Sequence, residues 1–318
     1  PKEIETSFYQ IRDPYLMRKF KVVDITIHNS DGKSYNFKTT PLIFKDIGFR
    51  DDGLDNSDAY SIALGDSFTM APGVELGDTW VELLELKMER DVVNMGVSGY
   101  SAIPQARMLE KYGVKLKPKV VLFSFYYNDY KEDNALSRRI QEEEFISLRS
   151  FLESNSVLYN TVRLINTKLA NLANRGGGKS ITVSRGDFDI TLYPDAILGY
   201  NDEVGKKLTA DAILEAKKLS DGIGAKFFIV IFPTKEHVYF DAIKKANSSY
   251  SESEFGLPRL EMLDFCKENG VICIDLYPDL VVAARNNERV FFDKDIHLTE
   301  LGNRLVSETI FNKLYVNP

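Results

Sequence analysis

Apolar runs and amphipathic runs take turns along most of this chain. Five short stretches are apolar almost throughout: Ser61 to Leu64, Val92 to Met95, Val120 to Phe125, Lys226 to Phe232 and Val271 to Leu276. Runs of that length without polar alternation predict strands covered on both faces. Between them, Thr79 to Glu89, Ile103 to Tyr112, Ala210 to Leu219 and Leu257 to Asn269 repeat their apolar residues at helical spacing, and Thr299 to Leu314 closes the chain as one more helix. Strand and helix in alternation predict an α/β protein with a parallel sheet and helices on both faces. Five strands suggest a flavodoxin-like open sheet in the order 2-1-3-4-5.

The rhythm is absent at the amino end and breaks once later. In "FKVVDITIHNSDGKSYNFKTT" apolar and polar residues alternate around Asn29-Ser30-Asp31-Gly32, a hairpin signal. Residues 1–58 therefore read as a β-containing accessory segment packed on a core domain of residues 59–318. About a hundred residues separate the third strand from the fourth, far more than a crossover helix and its loops need. The excess, residues 131–208, holds a helical pattern at Ser137 to Leu172, a glycine-rich "NRGGGKS" at Asn174 to Ser180 and a strand-like "DFDITLY" at Asp187 to Tyr193. At the carboxyl ends of the strands it would overhang a bound ligand, so a lid-like insertion is expected.

Composition narrows the classes. With 44% hydrophobic and 27% charged residues over 318 positions, the chain has the balance of a folded globular protein. A net charge of -7 and an isoelectric point near 5.3 offer no bulk attraction to phosphate polymers, so nucleic acid is not an expected partner. The longest apolar runs, such as "FFIVIF" at Phe227 to Phe232, fall far short of the ~20 residues that span a bilayer. Cys266 and Cys273 are expected to be buried free thiols. The sequence opens at Pro1 without a methionine, and an extracytoplasmic address, secreted, periplasmic or anchored, is the expectation that goes with it.

Chemistry enters at "SIALGDSFTM", Ser61 to Met70. The first buried strand stops at Gly65-Asp66-Ser67, which puts Ser67 at a carboxyl end beside the point where the strand order reverses, where open α/β sheets bind their ligands. A serine hydroxyl is a weak nucleophile until a base takes its proton, and histidine does that best near neutral pH. Three histidines are present. His28 falls in the amino-terminal hairpin and is set aside. His237, after the fourth strand, is a candidate base. His297, in "FFDKDIHLTELGN", brings Asp293 and Asp295 with it in one loop, and either carboxylate is positioned in sequence to hold the imidazole in the working tautomer. Acyl transfer also needs donors for the developing oxyanion. The Ser67 amide, the Gly96 amide in "NMGVSGY" and the Asn128 side chain in "YYND" all follow strand ends.

Four blocks in this order, "GDSFTMAPGV", "NMGVSGY", "YYND" and "DKDIHLTELGN", resemble the SGNH, or GDSL-type, hydrolase and esterase family. The resemblance runs from Ser61 to the carboxyl end, apart from the insertion. "GFRDDG" at Gly48 to Gly53 and "FPTKEHVY" look like a subgroup carrying an added amino-terminal segment. The resemblance implies a three-layer α/β/α sandwich, Ser67 as nucleophile, His297 as base and then acid, an oxyanion hole of Ser67, Gly96 and Asn128, and neither metal nor organic cofactor. Members commonly place the acid three residues before the histidine, where this chain has Lys294. The acid is therefore Asp295, which matches a short Asp-x-His loop of the subgroup, with Asp293 as the alternative. Tyr127 stands where the asparagine block usually has glycine.

The expected activity is a serine esterase or deacylase that removes a short acyl group, acetyl by preference, from a carbohydrate or other polar carrier. The aromatic stretches "FYYNDY" and "TLYPD" are candidates for stacking on sugar rings. Two alternatives stay open on sequence: an O-acyltransferase acting on a cell-surface polysaccharide, and a non-catalytic glycan-binding module of the same fold.

Overall fold

A computed structural model describes residues 9–29, 31–54, 59–152, 180–198 and 202–316. Two antiparallel pairs open the chain, β1 (Gln10–Asp13) with β2 (Met17–Phe20) and β3 (Asp24–His28) with β4 (Ser34–Lys38). The αβ pattern then runs β5 (Ser61–Gly65), α1 (Ser67–Met70), α2 (Trp80–Met88), β6 (Val92–Gly96), α3 (Ala102–Lys111), β7 (Val120–Phe125) and α4 (Asp129–Leu152). After an antiparallel hairpin, β8 (Ile181–Arg185) and β9 (Phe188–Leu192), come α5 (Pro194–Ile197), α6 (Glu203–Gly222), β10 (Lys226–Ile231), α7 (Lys235–Val238), α8 (Phe240–Ala246), α9 (Glu252–Glu268), β11 (Ile272–Asp275), α10 (Tyr277–Arg285) and α11 (Glu300–Phe311).

The central sheet has the order β11-β10-β7-β5-β6 and every pair in it is parallel. Counted from its first strand, this is the 2-1-3-4-5 order expected. Side chains alternate across it. Ile62, Leu64, Met95, Val121, Phe123, Ile229 and Ile231 face one apolar layer with α3, α6 and part of α9; Ala63, Leu122, Phe228, Val230 and Ile274 face the other with α2, α10 and α11. Both faces are dry, which is why the strands lack polar alternation. Leu16, Phe20, Phe37, Ile47 and Phe49 of the amino-terminal segment are buried in the first of these layers, against Met95, Val97 and Tyr100.

Differences from expectation have local causes. Helix α9 starts at Glu252 rather than Leu257 because Ser251 and Glu254 form a reciprocal capping box. The helix of Tyr277–Arg285 was not expected; Pro278 in its first turn opens it where proline is tolerated. Within the insertion, β9 lies inside the expected "DFDITLY" and pairs with β8, which the sequence pattern did not indicate. The expected helix from Ser137 is described to Leu152 as part of α4; its remainder and most of "NRGGGKS" lie outside the described residues. The expectation of two free thiols is corrected: Cys266 and Cys273 form a disulfide with Cα atoms 6.1 Å apart. The chain reverses between α9 and β11, and that turn brings the two sulfurs together.

Candidate active site

Strands β5, β6 and β7 start level, since Ser61 pairs with both Val92 and Val120, and β7 runs one residue past the other two. Directly past β5 the chain bends into α1, with the Asp66 side chain accepting from the Phe68 amide at 2.8 Å as its cap. Ser67 is thus the first residue of a short helix. Two glycines permit this. A side chain on Gly65 would meet Thr69 Oγ1 at 1.9 Å, and one on Gly96 would meet the Met70 nitrogen at 2.5 Å. Without them α1 could not sit down onto β5 and β6.

The far end of α1 is held from the amino-terminal segment. Arg50, fully buried, donates to the carbonyls of Met70 (2.7 Å), Ala71 and Val74 (2.6 Å), with its guanidinium over the rings of Tyr35 and Phe37. Burial pulls its pKa down to about 10. Asp51, next in "GFRDDG", accepts from the Asn94 amide at 2.9 Å in β6 and from Gly53 at 3.0 Å.

The histidine arrives on a tight loop between Phe291 and Leu298, closed by Phe292 N–H to the His297 carbonyl at 3.0 Å. Asp295 Oδ1 accepts from the His297 amide at 3.0 Å and from Nδ1 at 2.5 Å, while Nε2 lies 2.8 Å from Ser67 Oγ. Nδ1 therefore carries the proton and Nε2 is left to accept from the serine hydroxyl. Burial would raise the Asp295 pKa, but the hydrogen bonds and attraction of His297 outweigh it and bring it to about 2. Asp293, the alternative acid, is engaged elsewhere: its carboxylate accepts from Thr191 Oγ1 at 3.1 Å and its carbonyl from the Thr191 amide at 3.1 Å, on β9.

His237, the second candidate base, is buried and stacked on Tyr277 with ring centroids 4.0 Å apart, beside Gly256. Burial pulls its pKa down to about 4. It has no contact with Ser67. His28 is exposed in β3 and bonded to Ser34 at 2.9 Å.

Of the three expected oxyanion donors, the Ser67 amide and the Asn128 side-chain nitrogen make no hydrogen bond among the described residues; Asn128 Oδ1, an acceptor, is buried without a partner. The Gly96 amide donates to Asn94 Oδ1 at 3.0 Å, and the residue's lack of a side chain is explained by the approach of α1. Of the aromatic residues in "FYYNDY", Phe125, Tyr126 and Tyr130 are core residues and Tyr127 is half-buried. Tyr193 of "TLYPD" is exposed.

Lys235 is a residue that sequence reasoning missed. It is 1% exposed, and its ammonium donates to the carbonyls of Phe292 (2.8 Å), Asp293 (2.5 Å) and Asp295 (3.1 Å). Burial pulls its pKa down to about 8. A lysine beside glutamate just past a strand was the available signal, but nothing in one dimension says that it reaches the histidine loop.

Asp51, Asp52 and Glu82 offer carboxylate oxygens within 4.8 Å of one another, the one such grouping among the described residues able to share a cation. It belongs to the amino-terminal segment and α2, and includes neither Asp295 nor His297. No helix among the described residues is long and apolar enough to cross a membrane.

Residues 62–310 match the family model for GDSL-like lipase/acylhydrolase. Solved structures similar to this chain include a member of the lipolytic protein G-D-S-L family from Veillonella parvula, at 14% identity and TM-score 0.46 over 81% of this chain and 98% of that one. Another is a catalytic mutant of an acetylxylan esterase from Geobacillus stearothermophilus, at 12% identity and TM-score 0.46 over 81% and 94%. No curated protein matches. Fold and sequence together define an α/β serine hydrolase of carboxylic esters. The chain belongs to the GDSL-like lipase/acylhydrolase family.

Proposed function

We propose that this protein is a deacylase that removes a short acyl group, acetyl by preference, from a hydroxyl of a carbohydrate carrier through an acyl-serine intermediate. One observation carries the reading: the unbroken chain of hydrogen bonds from Ser67 Oγ to His297 Nε2 and from His297 Nδ1 to Asp295 Oδ1. Ser67 Oγ attacks the ester carbonyl as its proton passes to Nε2. The tetrahedral oxyanion is met by the Ser67 amide and the Asn128 side chain. Collapse expels the carrier alkoxide, which takes the proton from Nε2. Water then repeats the sequence on the acyl-serine, with His297 again the base, and releases the carboxylic acid. Asp295 acts through His297, holding Nδ1–H and stabilising the imidazolium. Support for the short acyl group comes from sequence: Tyr127, half-buried, stands directly before Asn128 where the asparagine block usually has glycine.

Labelling with a fluorophosphonate tests the assignment. The wild type is expected to gain one phosphonyl adduct on Ser67, and Ser67→Ala to gain none and to lose aryl acetate hydrolysis by about a thousandfold or more. A folded wild type that takes no label contradicts the hydrolase assignment. Preference for octanoyl over acetyl aryl esters contradicts the short acyl group alone.

A further inference from the structure

Apart from the Ser67 and His297 site, the fold holds a cavity of about 600 Å³. Its walls come from three parts of the fold that meet only in three dimensions: the β1–β2 hairpin, Ser98 in the loop after β6, and the facing sides of α3 and α4. Four arginines line it, Arg12 and Arg18 from the hairpin, Arg107 from α3 and Arg139 from α4. Among the described residues its one acidic member is Asp13, and that carboxylate is already spent. It accepts from the amides of Tyr15 (2.9 Å) and Leu16 (2.8 Å) and lies 3.6 Å from Lys111 and 3.7 Å from Lys19. In a chain of net charge -7, this is a concentrated basic pocket.

Arg18 is the centre of it. Its backbone is pinned, since the buried Tyr100 hydroxyl donates to its carbonyl at 2.6 Å and its amide reaches Leu16 O at 2.8 Å. Met17 before it takes a left-handed φ of 65°, a strained conformation for a residue with a side chain, of the kind found at ligand clamps. The half-buried Arg18 guanidinium lies over Gly99, where an added side chain would meet Nη1 at 3.2 Å, and it makes neither hydrogen bond nor ion pair with any described residue. A partly buried guanidinium is ordinarily paired. Arg107 turns Nη1 to the Tyr15 carbonyl at 2.9 Å, and Arg139 is exposed without a partner among the described residues.

One lining residue, Ser98, follows the strand end next to the one that carries the nucleophile. The amide of Val97 bonds to the carbonyl of Gly65 at 3.0 Å, so Ser98, one residue on, and Ser67, two residues on, lie within roughly 15 Å of each other at full chain extension. A short oligosaccharide spans that distance. Tyr9, Leu136 and Ile140 give the same pocket apolar surface on which a ring can rest.

We infer that the carrier of the ester is anionic: the arginine pocket binds a carboxylate or phosphate group of a saccharide whose neighbouring ring presents its acylated hydroxyl to Ser67. The inference rests on the deacylase reading for the second half of that statement and on the pocket alone for the first. Guanidinium forks suit either oxyanion, since both offer two acceptor oxygens in a plane.

Calorimetric titration of the full chain with trigalacturonate, a sugar phosphate and the neutral xylotriose tests it. At least one anionic probe is expected to bind, with affinity falling about tenfold or more between about 0.05 and 0.3 M salt, and xylotriose is expected not to bind. The carboxylate and phosphate arms decide which oxyanion is taken. Arg139→Gln, at an exposed position that leaves folding intact, and Arg18→Gln are each expected to weaken binding by about tenfold, with Arg18→Lys restoring only part because it lacks the fork. Xylotriose binding as tightly as the anions, anion binding indifferent to salt and to both arginines, or no binding of either anion, would each overturn the inference. Fluorophosphonate labelling of the same preparation separates the two claims. A labelled protein that ignores the anions sinks the pocket assignment alone, and an unlabelled protein that binds them sinks the hydrolase alone.

Discussion

Asp66 sits one residue before the nucleophile with its carboxyl buried, so that a charge there is expensive. Burial pushes its pKa up to about 6, against the opposing pull of the Phe68 amide and His297. A carboxyl whose pKa is higher folded than unfolded holds its proton more tightly in the native state. The stability it contributes is full below the unfolded value of 3.8 and is lost as pH rises through about 6. The amount is on the order of 3 kcal/mol by the size of the shift. Asp66→Asn keeps the acceptor for Phe68 and removes the titration. Urea denaturation between pH 4 and pH 7 is therefore expected to show a decline in the wild type that is flattened in the Asp66→Asn variant; parallel curves would contradict it. At this scale the sequence was legible for Ser67, His297 and the pair Asp293 and Asp295, since their chemistry is carried by residue type and spacing. It did not separate the two uses of Gly96, because a glycine needed for close packing and a glycine offering its amide read alike.

Between elements, the reacting groups are held by buried cations that reach across the fold. Arg50 ties the carbonyls that end α1 to the amino-terminal segment, and Lys235, at the start of α7, ties three carbonyls of the histidine loop. Lys235→Met fills the space but leaves those carbonyls without their donor, at a cost of about 1 to 3 kcal/mol for each one that water cannot reach. The loop is expected to loosen, lowering kcat for aryl acetate by about 10- to 100-fold with a smaller change in KM, as fits an effect on the transition state rather than on binding. Steady-state kinetics would check this, and an unchanged kcat would show that the loop holds its own shape. Helix and strand existence was readable from periodicity, as Val120–Phe125 illustrates. The cross-links were not, because a lysine donating to backbone carbonyls leaves no trace in the residues that accept.

Across the whole molecule, the amino-terminal segment and the sheet share one apolar layer. Phe20, Phe37 and Phe49 are buried with Met95, Val97 and Tyr100, and the same segment supplies Arg50 and Arg18. A chain starting at residue 59 is therefore expected not to fold, since it exposes that layer and strands the carbonyls that Arg50 satisfies; loss of the cooperative thermal transition in circular dichroism would show it, and a cooperative transition in the truncated chain would refute it. By itself the sequence determined the five strands of the central sheet, about where they end, and the serine and histidine blocks, because periodicity and residue chemistry are local properties of a chain. Only the tertiary structure set Asp295 rather than Asp293 on His297, joined Cys266 to Cys273 and gathered four arginines from three distant segments, because each of those depends on distances that a one-dimensional pattern does not contain.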